Sequence, residues 1–277
     1  MRKIMKGLII AVIAVIGFVV TSCDNGNSPC SHTGACTTAQ TCTKCGDIIA
    51  ALGHDHSSSL VCKRTGCDHQ YALGDTGPAG GIIFYVAPEG FKLYQGTNDD
   101  VELDTYTTAY YLEAWTDNEP GSGSIRWSYA DQTTESKPPP YVTTDVPLVQ
   151  QIHDTSAPTQ WIGYGLRNTR LIINAMDAMT PPNNEDSLRG DRAVHVAITE
   201  KGGHNDWFLP SIDELNVMSI ARAAPNNIEG LPAGSVWSSS QRTSDTVFHQ
   251  NISTGVIGAA GSGNKFTNGS VRAVRAF

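Results

Sequence analysis

Beyond Cys67 the chain contains no cysteine. That absence removes disulfides, a thiol nucleophile and cysteine-ligated metal from residues 71–277, and no cofactor is expected there. Basic residues are also scarce. Without residues 1–22 the chain carries 16 Lys+Arg against 27 Asp+Glu, a formal charge of −11. Nucleic-acid binding depends on neutralising phosphates with Lys and Arg, so this balance argues against a nucleic-acid partner. Only one long apolar run occurs, Leu8 to Val20, and its 13 residues fall short of the roughly 20 that a spanning helix needs. Signatures of catalysis are missing too. There is no GxSxG elbow and no HExxH, and Asn264 separates Gly263 from Lys265 where a phosphate loop would join them. His153, His195, His204 and His249 are scattered and support no hydrolytic triad. The chain reads as a non-enzyme.

What is present begins at the N-terminus. Arg2, Lys3 and Lys6 precede the apolar run, and Val20-Thr21-Ser22-Cys23 places small residues before a cysteine. This is the three-zone plan of a secretory signal. The cysteine at its end resembles the lipobox of bacterial lipoproteins. The resemblance implies a signal peptide over 1–22, acylation of Cys23, and a tether over 23–29. It also implies a membrane partner through that lipid and an extracytoplasmic place in the cell envelope. An uncleaved transmembrane anchor and a plain secreted protein are the competing readings.

Six cysteines follow between Cys30 and Cys67, and with His32, His54, His56 and His69 they define a cysteine-rich module over 30–70. Cys42-x2-Cys45 can aim two sulfurs at one tetrahedral ion, and Cys62-x4-Cys67 supplies a second pair. The ligand set Cys42, Cys45, Cys62 and Cys67 describes a zinc-ribbon-like site; Cys36, Cys42, Cys45 and His54 form a rival set. Three disulfides satisfy the same six residues outside the cytoplasm. A segment this short cannot bury enough apolar surface to fold unaided and needs staples of one kind or the other. His54 and His56 also read as ordinary exposed loop residues.

Residues 71–277 predict a compact, loop-rich α+β domain with short, mainly antiparallel strands and about two helices. Gly74-Asp75-Thr76-Gly77-Pro78-Ala79-Gly80-Gly81 contains two collagen-like triplets, too few for a triple helix, and reads as a turn feeding a buried strand at Ile82–Val86. Further strands are expected at Tyr110–Ala114, Ala193–Ile198, Asp206–Leu209, Val236–Ser239, Val247–Ile252 and Val271–Phe277. One helix is expected over Thr169–Met179, with Ile172, Met176 and Met179 on one face. A second begins at the capping box Ser211-Ile212-Asp213-Glu214 and buries Ile212, Leu215 and Met218. Residues 116–147 read as a surface loop. The acidic run Asp99 to Asp104 reads as a solvated loop or a calcium site.

Five segments occur in order: GDTGPAGGIIFY, YYLEAW, DWFLPSIDELNVM, VWSSS and VRAVRAF. Together they resemble the C-terminal domain of bacterial collagen-like (Lcl-type) adhesins, a domain found in envelope lipoproteins of spirochaetes and related bacteria. More distantly they resemble C-type-lectin-like folds. The resemblance implies a ligand-binding or adhesive role toward glycan or host matrix; a structural or protein-interaction role in the envelope is the alternative, and a cryptic hydrolase the least favoured. It offers Asp206, Trp207, Trp237, Ser239 and Arg272 as ligand-binding candidates. The residues themselves favour the reading that buries both tryptophans in the core and pairs Asp206 with Arg272. No collagen stalk is present, and the domain's charge of −10 opposes binding to sulfated glycans.

Overall fold

The computed structural model describes residues 39–41, 48–49, 53–57, 59–64, 67–98, 100–117, 125–127, 159–178, 192–223, 225–243, 246–258 and 268–277. The expected signal peptide, Cys23, its tether, and Cys30, Cys36, Cys42 and Cys45 lie outside them. The chain divides into two compact units, Met1–Gly53 and His54–Phe277, and the division falls inside the segment read as one cysteine-rich module. In the first unit, β1 (Gln40–Thr41) pairs antiparallel with β2 (Ile48–Ile49).

The second unit is α+β and loop-rich. β3 (Ile82–Tyr94) and β4 (Tyr106–Ala114) form an antiparallel pair with Ile82 opposite Ala114 and Tyr94 opposite Tyr106. Both are rich in aromatic and β-branched residues, which suit a pleated, half-buried surface. The register shifts between Val86 and Phe91, where Pro88 has no N–H to give a ladder. The chain's end returns to this pair. β10 (Val274–Ala276) lies along the other edge of β4, so the sheet order is β10-β4-β3. A second antiparallel sheet contains β6 (Ser235–Gln241), β7 (Val247–Asn251) and β8 (Ile257–Gly258), while β5 (Ile125–Arg126) pairs with β9 (Asn268–Gly269). Among the described residues the helices are α1 (Gly165–Asp177), α2 (Ala193–Ala197) and α3 (Ile212–Arg222). None is long and apolar enough to cross a membrane.

Two hydrophobic clusters fill the unit. One joins Phe84, Leu112, Val236 and Val274 of the sheets to Leu215 and Met218 of α3. The other gathers Trp127, Ile172, Met176, Val194, Trp207 and Trp237 around α1 and α2. Ile212, Leu215 and Met218 are buried as their spacing requires, as are Ile172 and Met176; Met179 lies outside the described residues.

Several expectations are corrected. The Ala193–Ile198 segment, expected as a strand, forms helix α2 (Ala193–Ala197) with Ile198 as its C-cap, Val196 N donating to Arg192 O and Ile198 N to Val194 O. A short apolar run does not reveal its period, and here a helix buries Val194, Val196 and Ala197 together. Asp206–Leu209 is no strand: Phe208 alone bridges, exchanging both main-chain bonds with Val274. The Val271–Phe277 ladder shrinks to Val274–Ala276. Within 116–147, Ile125–Trp127 enters the core, with the Trp127 indole donating to Ser238 O at 2.7 Å. Helix α1 begins four residues earlier than expected, at Gly165.

That early start has a cause. Tyr164 caps α1 without a side-chain bond, and the fully buried Glu214 supplies the cap from another helix. Its Oε1 accepts from Gly163 N at 2.9 Å and Gly165 N at 3.3 Å, while Oε2 accepts from Ser211 N at 2.7 Å. One carboxylate thus serves the N-termini of α1 and α3, where the positive helix ends favour an acceptor. Gly163 is required twice over: its φ is +87°, and a Cβ there would overlap the Lys92 carbonyl.

Burial pushes the Glu214 carboxyl up to about 7, against the lowering effect of its three N–H donors. A raised folded-state value means that its contribution to stability is complete below about 4.5 and is lost as pH rises through about 7. The difference in urea-unfolding free energy between wild type and Glu214→Gln therefore shifts in favour of wild type as pH falls from about 8 to about 5. Ser211→Ala, which removes the reciprocal half of the capping box, is expected to cost about 1–2 kcal/mol in the same measurement.

Candidate functional site

Residues 54–71 contain no helix or strand among the described positions, yet they concentrate the metal-binding side chains. Main-chain bonds fold the segment on itself: Cys62 N donates to His69 O at 3.0 Å, Lys63 N to Asp55 O at 2.8 Å, and Cys67 N to Arg64 O at 3.0 Å. Tyr111 of β4 ties it to the sheet, donating its hydroxyl to Leu60 O at 2.5 Å and accepting from Tyr71 N at 3.3 Å.

The folding brings two overlapping groups together. His54, Cys62 and Cys67 each offer a ligand atom within 4.8 Å of the others, and so do His54, His56 and His69. His54 Nδ1 lies 3.3 Å from Cys67 Sγ, and Asp55 N donates to Cys62 Sγ at 3.4 Å. His54 and His69 stack at 3.6 Å with their planes 12° apart. His56 Nδ1 lies 3.2 Å from Leu60 O, and a carbonyl only accepts, so that nitrogen carries the proton. His56 Nε2 then accepts from His69 Nδ1 at 3.1 Å. Burial lowers both His56 and His69, which favours these neutral tautomers. For Cys62, burial alone would raise the thiol, but bonds from Cys67, the Asp55 and Arg64 main chain and His54 bring it down to about 6. Cys62 and Cys67 are not joined in a disulfide.

The observed trio draws on both sets expected from spacing. Cys62 and Cys67 come from the ribbon-like set and His54 from its rival; Cys36, Cys42 and Cys45 lie outside the described residues. His69 was overlooked as a neighbour of His54, and the pair's near-parallel stacking has no sequence signature. His56 is buried, contrary to its reading as an exposed loop residue.

The ligand-binding candidates of residues 71–277 go elsewhere. Trp207 is 1% exposed and its indole N–H donates to Lys201 O; Trp237 is 2% exposed and donates to Ile125 O, both at 2.9 Å. Ser239 is buried, its N–H donating to Pro210 O and its hydroxyl accepting from Asn168 Nδ2. Arg272 is buried and donates to the Trp115 and Asp117 carbonyls. Asp206 alone reaches solvent, with its side chain 49% exposed. Its partner is Arg275, not Arg272, with Arg275 Nε donating to Oδ1 at 2.6 Å. Side chains alternate along an extended segment, so positions 272 and 275 face opposite sides and only Arg275 shares a face with Phe277.

Arg275 sits directly opposite Glu113 in the β10–β4 register, with NH1 3.5 Å from Glu113 Oε2. Glu113 also accepts from Gly81 N at 2.7 Å and Ala79 N at 3.1 Å. Burial raises its carboxyl, and these donors work against the rise. In the acidic run Asp100 is exposed, as a solvated loop requires, and Asp104 is the exception. Asp104 is buried, neither solvated nor open to calcium, because Arg167 Nε donates to its Oδ2 at 2.6 Å and Asn98 N to its Oδ1 at 2.8 Å.

Compared with known families and curated proteins, the chain matches no family model and no curated protein.

Removing the guanidinium leaves Glu113 buried with its two N–H donors but without a counter-charge. Arg275→Met is expected to destabilise the unit by about 3–5 kcal/mol. Asp206→Asn, whose carboxylate is half in solvent, should cost no more than about 1 kcal/mol. Urea denaturation of both variants checks the contrast.

Proposed function

We propose that the chain is a lipid-anchored cell-envelope protein that presents an α+β unit of Lcl type for ligand recognition outside the cytoplasm, toward glycan or host matrix. The observation that carries this reading is Val20-Thr21-Ser22-Cys23, which follows a basic start and an apolar run and precedes a folded unit. A structural zinc within 30–70 staples the segment between tether and domain; the gathering of His54, Cys62 and Cys67 supports it. Recognition is favoured over catalysis because the chain lacks hydrolase motifs and its motif side chains are spent on internal bonds.

A second reading, a structural or protein-binding component of the envelope, is favoured by the burial of Trp207 and Trp237. With their faces in the core, neither indole is available to stack on a sugar. The net negative charge also suits a protein partner better than a sulfated glycan.

Radiolabelled palmitate is expected to label the full chain in bacteria and not its Cys23→Ala variant, which should move from the membrane to the soluble fraction. Equal labelling of both would remove the lipid anchor. A glycan array probed with the full chain, paired with an envelope pull-down, separates the two recognition readings. Binding to a defined glycan supports the first, and capture of one envelope protein with no glycan binding supports the second.

A further inference from the structure

We propose that His54, Cys62 and Cys67 are the protein ligands of one zinc ion, bound through His54 Nδ1 and the two sulfurs, and that this ion clasps residues 54–71 onto the sheet face carrying Tyr111. The inference rests on the structural-zinc reading above and names its donors.

Two donor sets compete for His54, one with the cysteines and one with His56 and His69. Three observations favour sulfur. His54 Nδ1 lies 3.3 Å from Cys67 Sγ, close enough for one ion to take both atoms as ligands. Asp55 N donates to Cys62 Sγ at 3.4 Å, and a main-chain N–H directed at sulfur stabilises the thiolate that a metal requires. His56 is already committed: Leu60 O and His69 Nδ1 engage both of its nitrogens, and the same bond occupies Nδ1 of His69. A ring nitrogen holding a proton has no lone pair for a metal.

His69 retains a different task. Its ring lies flat against His54 at 3.6 Å and sets the plane in which His54 presents its nitrogen. His56 holds His69 in turn, and its own ring meets Tyr111 edge-on at 5.6 Å. The chain His54–His69–His56–Tyr111 thus links the donor set to β4, as supporting residues around metal sites commonly orient their ligands. Two thiolates and a neutral imidazole balance the charge of Zn2+, and soft donors select it over Mg2+ or Ca2+. Among the described residues no fourth His, Cys, Asp or Glu joins this group.

The clasp follows from what else holds the segment. Among its described residues the segment has no helix or strand ladder, and its bonds to the sheet run through Tyr111, with Tyr71 against Phe277 at 5.8 Å. A metal tying positions 54, 62 and 67 closes two loops at once, restricting the unfolded segment far more than those bonds can.

The full chain, purified without added metal, is tested by elemental analysis, by thiol alkylation mapped with mass spectrometry, and by amide exchange. Chelation is expected to release zinc and expose Cys62 and Cys67 to alkylation. It should also raise exchange over residues 54–71 by at least about tenfold while β4 and α3 stay protected. His54→Gln and Cys62→Ser should each lose one equivalent of zinc, and His56→Gln and His69→Gln should keep it. Protection of β4 and α3 in each variant separates loss of the site from loss of the fold, and the chelation arm needs no variant. Full zinc retention in both His54→Gln and Cys62→Ser overturns this donor set and leaves the zinc reading standing. Loss in His56→Gln and His69→Gln but not in Cys62→Ser assigns the ion to the three histidines and also overturns it. A native Cys62–Cys67 disulfide overturns donor set and zinc reading together.

Discussion

The buried pairing of Arg275 with Glu113 organises the second unit. The two residues face each other across β10 and β4, so the last residues of the chain are locked to its centre. Glu113 also gathers the Ala79 and Gly81 N–H groups, which explains the glycine-rich turn without any reference to collagen. A Cβ at Gly77 or Gly81 would overlap the Glu113 side chain, so the loop can wrap the carboxylate only where side chains are missing. Arg275 then continues outward to Asp206. Four of the five quoted sequence segments, all but VWSSS, meet in this one network.

A second carboxylate repeats the principle at the other end of the core. Glu214 joins the starts of α1 and α3, and Ser240 Oγ accepts from Ile212 N beside it, bringing the WSSS segment into contact with the same helix end. Burying a charge is costly unless donors surround it, and each carboxylate has at least two main-chain N–H groups doing so. These arrangements specify geometry more than they add stability. They hold loops that have few ladder bonds of their own in single conformations, and the three indole N–H bonds of Trp127, Trp207 and Trp237 to main-chain carbonyls do the same for the second cluster.

The sheet has two unlike faces as a result. Leu112, Ala114, Val274 and Ala276 belong to the apolar cluster under α3. Tyr111, Glu113, Arg275 and Phe277 alternate with them and meet the segments that precede β3. That second face is aromatic and charged, and what covers it is a stretch without regular secondary structure. Such a stretch needs a staple, and the gathered histidine and cysteine side chains provide donors for one.

Much of this was legible without coordinates. The acidic balance, the confinement of cysteine to residues before 71, the α+β class and the capping box at Ser211 are compositional or local, and none depends on which distant segments meet. The strand cores at Ile82, Tyr110, Val236 and Val247 were legible for the same reason. Tertiary structure alone decided that Ala193–Ala197 is helical, that Arg275 and not Arg272 meets Asp206, and that His54 lies within ligand reach of Cys62 and Cys67. Each of those outcomes depends on which distant segment supplies the nearest partner for a buried polar atom, and spacing along a chain carries no record of that.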